Sequence, residues 1–190
     1  MEGTASADLE LLWIRQIAAG DRDAFENLYK AYAPRLFRYL YSMVADAAAA
    51  EELTNDVMVA AWKGAANFRG DSRPSTWLFG IAHHKALNEL RRKHPVIVEE
   101  EEASQMADSA ESPEQVVQRH GLEQSVRGAL QELSPDHREV VELTFYHGLS
   151  YQEIAEIVQS PVNTVKTRMF YAKKKLQEVL GRTGILGEVS

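Results

Sequence analysis

The chain of 190 residues contains no cysteine. A disulfide framework, a thiolate metal site and a cysteine nucleophile are therefore all excluded. The chain also lacks any apolar run near the ~20 residues of a membrane-spanning helix, and its acidic, polar start is unlike a signal peptide. We expect a cytoplasmic protein without membrane insertion.

Alternating strand patterns are equally absent, because apolar residues recur at helical spacing nearly throughout. The periodicity stops after His94, where Pro95 and four consecutive glutamates follow. This predicts an all-α fold, with two small helical domains joined by a flexible acidic linker. We place the domains and the parts between and after them at 1–94, 95–111 (linker), 112–182 and 183–190 (tail).

The net charge of −7 is unusual for a protein that binds nucleic acid, but it is unevenly distributed. Residues 99–114 hold seven acidic side chains and no basic one. Outside that segment the acidic and basic residues balance at 21 each. The overall charge therefore does not exclude DNA binding, which depends on local clusters of basic residues.

The first domain is predicted to hold four helices, at about 8–19, from Asp21 onward, from a cap at Asp46 towards Phe68, and at about 76–93. We expect Pro34 to break or bend the second of these. In the second domain, Ser-Pro pairs at 112–113 and 134–135 are typical of helix starts, and Gly148 of a helix end.

The segment from Gly148 to Leu176 predicts a helix-turn-helix. Ser150 and Glu153 form a capping box at the start of the first helix. Ser160 is expected to cap the second helix, in which apolar residues recur at steps of three and four. The second helix carries five basic residues and no acidic one between 163 and 175. Such a helix can enter a DNA major groove, although an amphipathic hairpin with a solvated basic face has a similar pattern.

A second stripe suited to nucleic acid lies on the fourth helix. Trp77, His84, Asn88 and Arg91 share one face, extended by Lys85 and Arg92. Bases of a single strand stack on aromatic rings while cations follow the phosphates. The alternative for Trp77 is simple core packing, and basic residues at a helix end also complement the helix dipole.

Five blocks in this order resemble the sigma-70 family of bacterial transcription initiation factors, in its compact extracytoplasmic-function (ECF) group. They are AFENLYKAYAPRLFRYL (24–40), AEELTNDVMVAAW (50–62), FRGDSRPSTWLFGIAHHKALNELRRK (68–93), LSPDHREVVEL (133–143) and the helix-turn-helix. The resemblance covers roughly 8–180 and implies that the two domains are region 2 and region 4. It implies core RNA polymerase (β′ clamp helices, β flap) and promoter DNA as partners, and an anti-sigma factor that holds the protein inactive.

The resemblance also implies roles for individual residues. The set that docks on core polymerase is Asp46, Glu51, Glu52, Leu53, Asp56, Val57 and Trp62. The set that melts and reads the minus-10 element is Phe68, Arg69, Asp71, Ser72, Trp77, His84, Asn88, Arg91 and Arg92. The set that binds the minus-35 element is Asn163, Thr164, Lys166, Thr167, Arg168, Phe170, Tyr171 and Lys174. No catalytic residue, metal or cofactor is implied.

Three positions depart from the family pattern. His84 and Asn88 stand where the family's fourth-helix motif usually has Asn and then Asp, which puts the minus-10 preference in question. Tyr171 stands where many members carry Arg, so a guanine contact at the minus-35 element is expected to be missing.

Three alternatives stay open. The acidic linker is either a solvated spacer or a phosphate mimic that threads the polymerase channels.

The chain as a whole could instead be a stand-alone regulator that binds palindromic duplex DNA as a dimer. A metal-dependent nuclease is disfavoured, because adjacent histidines on a helix point about 100° apart and cannot share one metal without help.

Overall fold

The computed structural model describes residues 2–93, 126 and 128–182. The helices are α1 (Glu2–Ala18), α2 (Arg22–Val44), α3 (Ala47–Gly64), α4 (Pro74–Lys93), α5 (Pro135–Phe145), α6 (Tyr151–Ile157) and α7 (Val162–Arg182), with a 3₁₀ turn at Ala65–Asn67. None of these helices is both long enough and apolar enough to cross a membrane. The predicted linker, the Ser-Pro pair at 112–113 and the tail lie outside the described residues.

Helices α1 to α4 form a bundle around a shared apolar core. The inward residues of α2 recur every three or four positions and are fully buried, among them Leu28, Leu36 and Leu40. Phe79 of α4 meets Tyr39 edge to face, with ring centroids 5.4 Å apart. Asp46 caps α3 as predicted, because its carboxylate accepts from the amide of Ala49.

Pro34 was predicted to break or bend the second helix, and the predicted break is wrong. Helix α2 runs without interruption through Pro34 from Arg22 to Val44. Proline removes only one hydrogen bond, the one that would reach the carbonyl of Lys30. Pro34 and Lys30 both lie on the exposed side of α2, where water can replace that bond. The apolar stripe on the opposite side keeps the helix whole.

In the second domain, the predicted start of α5, the turn at Gly148 after it and the start of α6 are confirmed. Ser134 caps α5 through the amide of His137, and Gly148 adopts a φ of 66° that lets the chain turn after α5. Ser150 and Glu153 form the predicted capping box at α6. Ile154 is fully buried, as is Val165 of α7, so the two helices close over one core.

The predicted capping role of Ser160 is wrong. Its hydroxyl donates to the carbonyl of Val158, and α7 begins at Val162. The carbonyl of Pro161 accepts from the amide of Val165, so Pro161 itself occupies the position before the helix. A proline there loses nothing, because the first amides of a helix have no intrahelical acceptor.

The two domains pack directly against each other, an arrangement that sequence patterns left open. Helix α5 lies against α2, and α6 lies against α4. Apolar residues of both domains form one continuous buried cluster, from Ile14 to Ala172. The molecule is therefore folded back on itself, with the α2–α5 and α4–α6 contacts forming what we call the domain interface.

Candidate nucleic-acid interface

An aromatic pair marks the start of the predicted minus-10 face. The rings of Phe68 and Trp77 have centroids 4.9 Å apart at an angle of 38°, and both side chains are half-buried. A Cβ at Gly64 would lie 3.3 Å from Cζ2 of Trp77, so the glycine lets the indole settle closely on α3. One part of the Trp77 side chain thus packs on the core, and another part stays accessible. Core packing and stacking on a base are therefore compatible for this residue.

The loop before α4 presents a charged turn. Arg69 and Asp71 form an ion pair of 3.0 Å across Gly70, whose φ of 77° allows the tight reversal. Both charged side chains are largely exposed, so the pair itself adds little stability. Ser72, the remaining predicted loop residue, is half-buried. The loop therefore offers both charges to a ligand.

The rest of the α4 stripe lies on the surface, but part of it touches the second domain. His84, Asn88, Arg91 and Arg92 are exposed. The side-chain amide of Gln159 donates to Nε2 of His84 at 3.1 Å. Arg92 pairs with Glu89 at 2.8 Å. Asn88 and Arg91 are consequently more accessible to a nucleic acid strand than His84.

The recognition helix α7 presents most of its predicted face to solvent. The exposed members of the minus-35 set are Asn163, Lys166, Thr167, Phe170, Tyr171 and Lys174. Phe170 is 64% exposed, so most of its ring is available to a partner. Its ring meets that of Tyr171 at 5.4 Å. The two aromatic rings form an apolar patch suited to thymine methyl groups.

Arg168 and Thr164 differ from the other members of that set. The guanidinium of Arg168 is ion-paired with Asp136 of α5, and its side chain is only 24% exposed. Thr164 is half-buried. In this conformation the ion pair joins α7 to α5 and leaves the guanidinium of Arg168 less available to bases than the exposed members of the set.

The predicted docking set on α3 divides into exposed and buried members. Glu51 and Glu52 are exposed, and Asp56 is exposed but pairs with Lys85 at 3.0 Å. Asp46 pairs with Lys93 at 2.9 Å, and this hydrogen bond is the main reason that the pKa of Asp46 is lowered. These four carboxylates give α3 an acidic outer face.

Leu53, Val57 and Trp62 do not belong to that outer face. Val57 is fully buried and Leu53 is 9% exposed. Trp62 is half-buried and meets Phe25 edge to face at 5.2 Å. Because Leu53 and Val57 lie in the core of the first domain, they cannot contact a docking partner directly in this conformation, whereas Trp62 is only partly covered.

Sequence reasoning missed a polar cluster buried in the domain interface. Tyr39, His83 and Glu139 come from α2, α4 and α5, and all three are buried. One signal was available, since Glu139 sits beside Val140 and one turn before Leu143, on the side of α5 that the apolar pattern assigns to the core. A carboxylate at such a position is expected to have a buried partner.

Family models match both halves of the chain in order. Residues 28–95 match Sigma-70 region 2, and residues 123–176 match Sigma-70 region 4. The RNA polymerase sigma-H factor of Pseudomonas aeruginosa is 32% identical over 176 residues, covering 88% of this chain and 91% of that relative. The ECF RNA polymerase sigma factor SigW of Bacillus subtilis is 28% identical over 176 residues, covering 88% and 94%.

A solved structure agrees with these matches. The sigma factor RpoE of Bartonella quintana, in complex with the anti-sigma factor NepR, superposes with a TM-score of 0.63 at 26% identity. The match covers 83% of this chain and 96% of that one. Two matched regions in the family's order, relatives aligned over nearly their full length and a shared helical fold lead to one conclusion: this chain belongs to the sigma-70 family of RNA polymerase sigma factors, in its ECF group.

Proposed function

We propose that this protein binds core RNA polymerase and directs promoter-specific transcription initiation, without catalysis of its own. The observation that carries the proposal is that one chain presents two exposed faces of different composition, each of which suits a different form of DNA. One is the aromatic and basic face of α4, suited to a single strand, and the other is the recognition helix α7, suited to a duplex. A stand-alone duplex reader has no use for the first face.

The α4 face fits the capture of an unpaired base. Extruding a base from a duplex costs a few kcal/mol, which a preformed pocket and stacking can offset. The Phe68–Trp77 pair supplies a preformed aromatic surface, and Arg91 lies further along the same helix face. The charged loop of Arg69 and Asp71 lies beside that pair. We assign minus-10 recognition to this face, with His84 and Asn88 as the departures that set its base preference.

The α7 face fits the reading of the minus-35 element. Lys166, Thr167, Phe170 and Tyr171 reach outward from the N-terminal and middle turns, the part of a recognition helix that meets base edges. Lys173, Lys174 and Lys175 follow and suit phosphates, which position a protein without specifying sequence. The β flap of the polymerase is the partner that the family implies for this domain.

Two further partners belong to the proposal. The acidic outer face of α3 would dock on the β′ clamp helices, through Glu51, Glu52 and Asp56. An anti-sigma factor would hold the protein inactive, as the Bartonella quintana complex with NepR illustrates for a relative. Both partners imply work in the cytoplasm. A pull-down from native cells that yields polymerase but never a small co-encoded protein would count against the anti-sigma factor.

The proposal is tested by titrating fluorescently labelled protein with purified core RNA polymerase. We expect saturable binding, and only weak binding of the free protein to duplex DNA. Binding should weaken when Glu51 and Glu52 are changed together to lysine, and the same reversal at exposed Glu26 and Glu178 serves as the control. Tight binding to a palindromic duplex with no affinity for core polymerase would instead identify a stand-alone regulator.

Lys166→Ala is expected to weaken binding of the holoenzyme to a duplex bearing the minus-35 element. Loss of a base-edge contact costs about 1–3 kcal/mol, roughly tenfold to a hundredfold in affinity. Because Lys166 is exposed, thermal stability and core binding should not change. The matched control is Lys63→Ala, an exposed lysine on α3 outside the predicted DNA faces. Equal losses of duplex and core binding would contradict this assignment.

A further inference from the structure

The centre of the domain interface is a buried hydrogen-bonded cluster. Oε1 of Glu139 accepts from the hydroxyl of Tyr39 at 2.5 Å and from Nδ1 of His83 at 2.7 Å. Glu139 is only 3% exposed, yet both of its partners belong to region 2. A buried carboxylate must be hydrogen-bonded. The closed arrangement therefore satisfies Glu139 only while the two domains stay in one particular register.

Further contacts around this cluster also join the two domains. The guanidinium of Arg38 pairs with Glu142 at 2.9 Å and lies 3.5 Å from the ring centre of Tyr146. Arg35 donates to the carbonyl of His147 at 3.2 Å. Several directional contacts in one interface specify a single docked geometry, more than a smooth apolar contact would.

The other edge of the domain interface covers part of the minus-10 face. Gln159 lies in the turn between α6 and α7 and donates to His84. Glu153 at the start of α6 accepts from the Thr76 hydroxyl at 3.4 Å and lies 3.5 Å from Arg73. Region 4 thus contacts α4 at the point where the minus-10 face begins.

The closed arrangement is too short to read a promoter. Elements centred near positions −10 and −35 are about 25 base pairs apart, which is roughly 85 Å of duplex at about 3.4 Å per step. Here the two reading domains touch, with His84 and Gln159 only 3.1 Å apart. The 32 residues at 94–125 could span about 105 Å if fully extended, so the chain is long enough to open.

We propose that the Tyr39–His83–Glu139 cluster is an intramolecular latch, which holds region 4 on region 2 and keeps the free protein from engaging promoter DNA. The proposal rests on the sigma activity proposed above. Breaking the latch exposes Glu139 to water, where its charge is solvated, so the contact specifies the closed state without making it permanent. The outer face of α3 stays accessible in the closed form, which lets core polymerase bind first and favour opening.

The latch is tested by the distance between two fluorophores. Because the chain has no cysteine, Asn27→Cys and Gln177→Cys place dyes on exposed positions of the two domains. Glu139→Lys replaces the acceptor by a buried cation and leaves Tyr39 and His83 without the carboxylate that joins them. We expect it to shift the closed-to-open ratio by about a hundredfold and to lower energy transfer. Glu178→Lys, the same charge change on an exposed turn of α7, should leave transfer unchanged.

Binding to a fluorescein-labelled oligothymidine strand gives the functional readout. The opened variant should bind about tenfold tighter than both the unmodified chain and Glu178→Lys, since the α4 face is uncovered. If Glu139→Lys fails to fold, Tyr39→Phe tests the latch instead, because it removes one hydroxyl and keeps the ring. For Tyr39→Phe we expect a smaller fall in energy transfer.

The outcomes separate the latch from the sigma activity. Unchanged energy transfer in a folded Glu139→Lys and in Tyr39→Phe would overturn the latch, as would equal strand binding by the closed and opened forms. If the transfer and strand-binding changes appear but no form binds core polymerase, the proposed function fails and the latch stands as a property of the fold.

Discussion

Trp77→Ala is expected to remove most promoter opening while leaving core polymerase binding intact. Stacking of a base on an aromatic ring contributes about 1–3 kcal/mol, so the loss of open complex should be roughly tenfold to a hundredfold. Trp77 is the larger ring of the pair with Phe68, and its removal also leaves Gly64 without its neighbour. Permanganate reactivity of unpaired thymines at the promoter start site measures the effect.

The matched control for this substitution is Trp13→Ala. Trp13 is likewise half-buried against the region 2 core, but it lies on α1 and outside the predicted DNA faces. Both variants should lose some stability from the cavity, and only Trp77→Ala should lose opening. A similar loss of opening in both would mean that the bundle, and not base stacking, is what the reaction depends on.

The closed form is expected to open as the pH falls from about 6.5 towards 4. His147 is 7% exposed in the domain interface, 4.5 Å from the ring centre of Phe79, and its pKa is lowered to about 4. Burial is the main cause, and the cations of Arg35 and Arg38 add to it. Within the part of the chain that the structure describes, neither ring nitrogen has a hydrogen-bond partner.

The sign follows from proton linkage. A histidine whose pKa is lowered in the closed form binds a proton more readily in the open form, so acid favours opening. Each pH unit between 6.5 and 4 changes the opening free energy by about 1.4 kcal/mol, a factor of ten. His147 alone should therefore lower the closed-to-open ratio roughly thirtyfold between neutral pH and pH 5.

Other titratable groups face His147 and must be separated from it. Burial raises the pKa of Glu142, partly opposed by Arg38, and its oxygen lies 3.7 Å from Nε2 of His147. Its contribution has the opposite sign, since protonating Glu142 relieves a buried charge. Burial, together with the neighbouring Glu139, raises the pKa of Tyr39 well above its usual range, so Tyr39 stays a donor throughout.

His147→Asn isolates the histidine, because asparagine is of similar size and takes up no proton. With dyes at positions 27 and 177, energy transfer in the unmodified chain should fall between pH 6.5 and 5, and the variant should show a much smaller fall. The same pH profile in both chains would contradict a role for His147.

Local signals in the sequence predicted local structure well. The capping box of Ser150 and Glu153, the cap at Ser134 and the cap at Asp46 all formed, since each depends on residues only a few positions apart. Pro34 was misjudged for the opposite reason. The prediction considered only the hydrogen bond lost at Pro34. The buried apolar stripe along the whole length of α2 outweighs that loss and keeps the helix intact.

Long-range contacts could not be obtained from spacing. Tyr39, His83 and Glu139 are separated by 44, 56 and 100 positions, and nothing in the local pattern joins them. The apolar spacing of α3 predicts that Leu53 and Val57 face inward, and the structure confirms this, whereas the resemblance places both residues in the docking set. The minus-10 and minus-35 sets remain predictions for most of their members, with Arg168 assigned a different contact by the fold.

The central claim is tested most directly by run-off transcription with purified core RNA polymerase and a pool of promoter fragments. We predict transcripts that start at defined sites only when this protein is present. Sequencing those starts would also show which bases His84 and Tyr171 select. No specific transcripts with either the unmodified chain or Glu139→Lys, together with retardation of a palindromic duplex by the protein alone, would contradict the account.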